Sequence, residues 1–148
     1  MRHIIPIFLA VLLLYSCEEP DCVSETSSTI NLSFYQLDLN QPDTVFVNKI
    51  SAIGSDSILV TNTANVSKVS LPADPQTGSA TFVFDIREYG IDTLIVTYQN
   101  GARMIAEDCP FELIFSDLNY SRNDFDSIRI VNKVLLDAIN EDIRVYNN

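Results

Sequence analysis

From residue 29 onward the chain alternates apolar and polar positions, and it does so repeatedly. Ile30, Leu32 and Phe34 fall on one side of an extended segment, with Asn31 and Ser33 on the other. The same period of two recurs over 80–86 (Phe82, Phe84, Ile86) and over 93–98 (Leu94, Val96, Tyr98). Residues 44–53, 57–62, 68–71, 111–118, 127–132 and 142–146 are further runs rich in β-branched, aliphatic or aromatic side chains. Such runs, split by Asn, Asp, Gly and Pro, predict an all-β domain. An immunoglobulin-like antiparallel β-sandwich of about eight to nine strands fits this spacing best. A small closed β-barrel is the alternative. The sharpest local signal is Asn100-Gly101, whose residue types suit the two positive-φ positions of a type I′ turn. It predicts that the strand at 93–98 returns antiparallel as 102–107. Residues 133–140 alone have helical character, as a single turn or a bent connection.

The N-terminus has a different pattern. Arg2 precedes an unbroken apolar run over 4–14. A membrane-spanning helix needs about 20 such residues, so this run reads as the hydrophobic core of a signal peptide. It ends in Leu14-Tyr15-Ser16-Cys17, which resembles the bacterial lipobox. The resemblance implies cleavage before Cys17, a diacylglycerol thioether on its sulfur and an acylated amine. Several acyl chains, at about 0.8 kcal/mol per buried methylene, make a stable anchor. An ordinary secretory signal with a chance cysteine is the alternative. The chain thus divides into a signal peptide at 1–16, a polar tether at 17–28 and one β domain at 29–148. Glu18-Glu19-Pro20-Asp21 looks like the acidic export signal of surface lipoproteins, or is simply a solvated tether. Display at the cell surface and on the periplasmic face both stay open.

Composition narrows the chemistry. There are 148 residues, enough for one domain, with 9 basic and 20 acidic side chains and a net charge of -11. This excess of acid excludes a nucleic-acid footprint. Trp is absent and the single histidine is His3, so cleavage before Cys17 leaves no imidazole. Ser-His-Asp and Cys-His nucleophilic sites and histidine-based zinc hydrolysis are thereby excluded. No phosphate-binding glycine loop exists among Gly54, Gly78, Gly90 and Gly101. No catalytic residue and no cofactor are assigned.

With Cys17 lipidated, Cys22 and Cys109 remain as an even pair. In an oxidising compartment this predicts one disulfide, with two unpaired thiols as the alternative. Asp124 and Asp126, two apart, and the adjacent Glu141 and Asp142 are the closest carboxylate pairs. Asp124 and Asp126 suggest at most a loose Ca²⁺ pair without EF-hand spacing, and a solvated loop is the simpler reading, so no metal site is assigned. Asp43-Thr44-Val45, Asp56-Ser57-Ile58, Asp92-Thr93-Leu94 and Asp126-Ser127-Ile128 resemble an O-glycosylation acceptor. They also read as the turn-to-strand junctions that Asp and Thr or Ser favour.

One wider resemblance rests on particular stretches. They are Ile30-Asn31-Leu32-Ser33-Phe34-Tyr35, Ser70-Leu71-Pro72, Thr81-Phe82-Val83-Phe84, the run at 92–98, Glu107-Asp108-Cys109-Pro110-Phe111 and the ending at 143–146. With the lipobox and Cys22, the chain is similar to a family of small lipoproteins of unknown function from Bacteroidota-type Gram-negative bacteria. Asp108-Cys109-Pro110 stands where that family usually has Ala-Cys-Gly, and Asp142 where it usually has histidine. The resemblance implies an outer-membrane location and a fold, and no activity. The expectation is a lipid-anchored envelope protein acting as an interaction or structural module, bound to the membrane through Cys17 and to an envelope protein or extracellular ligand. The alternative is a surface module that binds a sugar, peptide or metal. A carboxylate-based enzyme is the remote third.

Overall fold

A computed structural model describes residues 22–55 and 57–148. The signal peptide expected at 1–16, the lipid-attachment residue Cys17, the acidic residues 18–21 and Asp56 lie outside the described residues. The described chain is all β: β1 (Thr29–Gln36), β2 (Gln41–Pro42), β3 (Val45–Ala52), β4 (Ile58–Val66), β5 (Lys68–Pro72), β6 (Ser79–Ile86), β7 (Gly90–Met104), β8 (Phe111–Asn123), β9 (Ser127–Ile130) and β10 (Ile143–Asn147).

These strands form two five-stranded sheets. One has the order β4-β3-β6-β7-β8. In the other, β1 sits between β10, which also pairs β9, and an edge shared by β5 and β2. The chain changes sheet between β2 and β3, through Ser67 between β4 and β5, between β5 and β6, and between β8 and β9. The sheets face one core, so the sandwich expectation holds and the barrel alternative does not. All pairings are antiparallel except β1 with β10, which run parallel. The all-antiparallel expectation is corrected at that point. The last strand inserts beside the first, and Leu32 to Gln36 register against Ile143 to Asn147.

The period of two explains which side chains are inside, because successive side chains in a strand point to opposite faces. Ile30, Leu32 and Phe34 of β1, Phe82, Phe84 and Ile86 of β6, Leu94, Val96 and Tyr98 of β7, and Ile143 and Val145 of β10 are all buried. Phe125, from the β8–β9 crossover, closes one end of the core edge-on against Phe84. Tyr98 meets Phe115 in the same way toward the other end.

The Asn100-Gly101 turn is not formed. Neither residue has a positive φ, and β7 runs straight through them, pairing Asn100 with Phe115 and Gly101 with Ile114. A return at 102–107 would displace β8 from its place beside β7. Residues 102–107 offer no equivalents of Phe115 and Leu118, which β8 brings into the core. The Asn100 amide instead donates to the Pro75 carbonyl at 2.8 Å. The real reversal comes at 105–110, and the outer part of the β7–β8 hairpin extends past the core as an exposed arm. Residues 133–140 form the bent connection, touching residue 26 through a Thr26–Leu136 bridge, and contain no helix.

Candidate functional site

The built feature of the molecule is the place where the N-terminal segment joins the hairpin arm. Cys22 is bonded to Cys109 in the reversal, closing a loop over a sequence separation of 87. The expected disulfide is present, with Cys109 buried and Cys22 exposed. Three residues past Cys109, Glu112 turns its carboxylate toward the incoming segment. Its Oε1 accepts from Ser24 Oγ at 2.7 Å, from the Glu25 and Thr26 amides at 2.9 and 3.0 Å, and from Thr26 Oγ1 at 2.9 Å. Its Oε2 accepts from Arg103 Nε at 2.7 Å, across the hairpin in register. Arg103 also approaches Glu25 at 3.6 Å.

A buried carboxylate is stable only when its lone pairs are answered. Glu112 is 6% exposed and its oxygens are answered by both the segment and the arm. The hydrogen bond from Ser24, then that from Arg103, with a smaller share from Thr26, overcome desolvation and lower its pKa to about 2. The same pairing raises that of Arg103. Beyond Glu112 the segment continues as if it were a short strand. The Ser27 amide donates to Leu135 O, and the Asp137 amide to Glu25 O. The part of the predicted tether from Cys22 to 28 is therefore held along the edge of β8 and against 133–137. A groove of about 360 Å³ remains between this segment and the arm, lined by Ser24, Ser28, Ile105, Phe111 and Leu113 among others.

The carboxylates singled out from the sequence serve other ends. Asp124 pairs with Arg122 through two hydrogen bonds, at 3.1 and 2.9 Å, and accepts from the Thr93 amide. Asp126 accepts from the Asn148 amide at 2.9 Å. Both border an acidic groove with Glu88 and Asp92 at the opposite end of β7. Desolvation and the charges of Asp124 and Asp126 raise the pKa of Asp92. Among the described residues no group of three or more His, Cys, Asp or Glu is placed to hold a metal ion. Glu141 and Asp142 are neighbours with separate partners. Glu141 accepts from Arg144 and Tyr35, whereas Asp142 accepts from the Asn31 amide and ties β10 to β1.

Of the Asp-Thr and Asp-Ser junctions, Asp43 and Asp126 precede β3 and β9 as turn residues do, with Asp43 bonded to the Thr44 amide. Asp92 differs, being a buried residue inside β7. Sequence reasoning found both cysteines and missed Glu112, Ser24, Thr26 and Arg103. No local signal marks these four, because Glu112 lies 88 positions from Ser24.

Two searches, one of the curated proteins and one of the solved structures, give no match. A comparison with protein families does match: a family of unknown function, DUF6452, aligns with residues 44–147, more than half of the chain.

Proposed function

The chain belongs to that family, and we propose that it is a lipid-anchored lipoprotein of the bacterial outer membrane whose β-sandwich is a non-enzymatic interaction or structural module. The observation that carries the reading is the fixing of the chain at Cys22, five residues past the lipobox cysteine Cys17. A disulfide, a carboxylate held by five hydrogen bonds and a strand-like seam together tie the anchor-side segment to the largest hairpin. Such a join carries a pull on the chain at Cys22 into the sheet. A disulfide also suits an oxidising compartment outside the cytoplasm. The partner in this reading is the membrane through the acyl chains, together with an envelope protein or extracellular ligand. Both surface and periplasmic display accord with it.

Metabolic labelling with a fatty-acid analogue tests the anchor. Wild-type protein is expected to take up label and Cys17→Ser to lose it; label that persists in Cys17→Ser contradicts the proposal. Affinity capture from intact envelopes, with the anchored protein as bait, then reads the partner.

A further inference from the structure

The arm of the β7–β8 hairpin carries a face that nothing among the described residues covers. Register places Met104 opposite Phe111 and Ala102 opposite Leu113, so these four side chains share one face of the sheet. Two residues past Leu113, Phe115 turns that same face into the core. The apolar lining of the sandwich therefore continues along the arm beyond the end of the second sheet. Phe111 is 70% exposed, and Met104 and Leu113 are each 52% exposed. Val23, next to the stapled Cys22, is 66% exposed. Scattered apolar side chains on a surface need no explanation, but a contiguous group marks a contact surface.

The covalent path of the chain says what that surface meets. Cys22 is bonded to Cys109 at the tip of the arm. From Cys17 to Cys22 the chain spans five residues, which reach about 17 Å at full extension. An acylated Cys17 therefore holds the arm within that distance of the bilayer surface. The acidic groove of Glu88, Asp92, Asp124 and Asp126 lies at the opposite end of β7.

We propose that the Met104–Phe111–Leu113 face of the hairpin arm rests in the interfacial layer of the bilayer that holds the anchor. The inference relies on the lipid-anchor reading above. The arm would thus be a second, weaker membrane contact that sets the attitude of the domain. The lipid chemistry that fits is neutral. Glu107 and Asp108 are exposed at the reversal; against headgroups, the ammonium of a zwitterionic lipid would answer them and a net-anionic headgroup would repel them.

The absence of Trp allows a direct test. Phe111→Trp and Leu113→Trp each place a single reporter on the arm, and Ile91→Trp places one at the other end of β7. Each full-length acylated variant is reconstituted into phosphatidylcholine–phosphatidylethanolamine vesicles with or without brominated acyl chains, and flotation is read on the same samples. The expected result is co-flotation of all three, with blue-shifted emission that bromine quenches for both arm reporters and unquenched emission for Ile91→Trp. Added anionic lipid is expected to reduce the quenching. Arm reporters that bromine leaves unquenched in floating vesicles overturn the membrane contact while leaving the anchor intact. A blue shift without quenching also overturns it, since a protein surface then covers the arm. Failure of the wild-type chain to float overturns both readings.

Discussion

Glu112 shows how much a single residue does in this molecule. Its carboxylate is shared by Ser24, Glu25, Thr26 and Arg103, and its pKa is lowered to about 2, chiefly by the Ser24 and Arg103 hydrogen bonds. A carboxyl with an ordinary value near 4.3 in the unfolded chain binds more protons there than in the fold at any pH between the two values. The Glu112 contribution is thus complete above about pH 4.5 and is lost as pH falls toward 2. Thermal melts across this window are expected to show a smaller loss of stability in Glu112→Gln than in wild type. At pH 7 Glu112→Gln should melt below wild type, because the charge-assisted bonds are gone. Asp142 has the opposite sign. Burial raises its pKa, despite the Asn31 amide, and its Oδ1 has no partner. Its ionisation costs stability as pH rises from the ordinary Asp value through the raised one. Asp142→Asn keeps an acceptor for the Asn31 amide, so the variant is expected to lose that decline and to be at least as stable as wild type at pH 8 in urea titrations. Neither role was legible beforehand. Glu112 reads as one of many acidic residues, and Asp142 stands out only as the neighbour of Glu141 and as a departure from the resembled family, until the fold brings distant segments to them.

Strands were far more legible than the residues that join them. Phe82, Phe84 and Ile86, or Leu94, Val96 and Tyr98, alternate with polar neighbours, and burial on one face leaves such a run no other arrangement. What failed was local turn chemistry. Asn100-Gly101 favours a turn by a small margin, and the pairing of β7 with ten residues of β8 outweighs it. The outer half of β4 was missed because Asn62 and Asn65 take positive φ and the side chains from 62 to 65 are exposed, which erases the alternation before the buried Val66. The loop between β5 and β6 is a further case where two elements decide together. Tyr98 of β7 accepts from the Asp74 amide at 2.6 Å and donates to the Asp74 carbonyl at 3.1 Å. Gly78, at φ +65°, would place a Cβ 3.0 Å from the Tyr98 carbonyl oxygen. Tyr98→Phe is expected to cost about 1 kcal/mol through the lost hydrogen bonds, read as a lowered urea midpoint with an unchanged slope. Gly78→Ala should cost about 1 kcal/mol or more from the left-handed backbone and the contact, read in the same way.

At the scale of the whole molecule the two ends of β7 differ in character. One end holds the disulfide, the Glu112 junction and the exposed apolar face; the other holds a groove of carboxylates. Removing the bond with Cys22→Ala and Cys109→Ala together is expected to cost about 2–5 kcal/mol. Because it also frees the segment that Glu112 grips, protease cleavage within 22–28 should accelerate while the core strands stay protected. Two sheets, one core and one disulfide were all accessible from alternation and from cysteine parity. The parallel insertion of β10 beside β1 was not, since no local pattern distinguishes a parallel neighbour from an antiparallel one. In the proposed reading Cys17 is the first residue of the mature chain and carries acyl groups. Intact-mass measurement on protein extracted from membranes tests it most directly. The expected species is a chain beginning at Cys17, heavier than its peptide by the mass of the attached diacylglycerol and acyl chain, with Cys22 and Cys109 oxidised. A chain beginning at Met1, or one cut elsewhere with Cys17 unmodified, would contradict it.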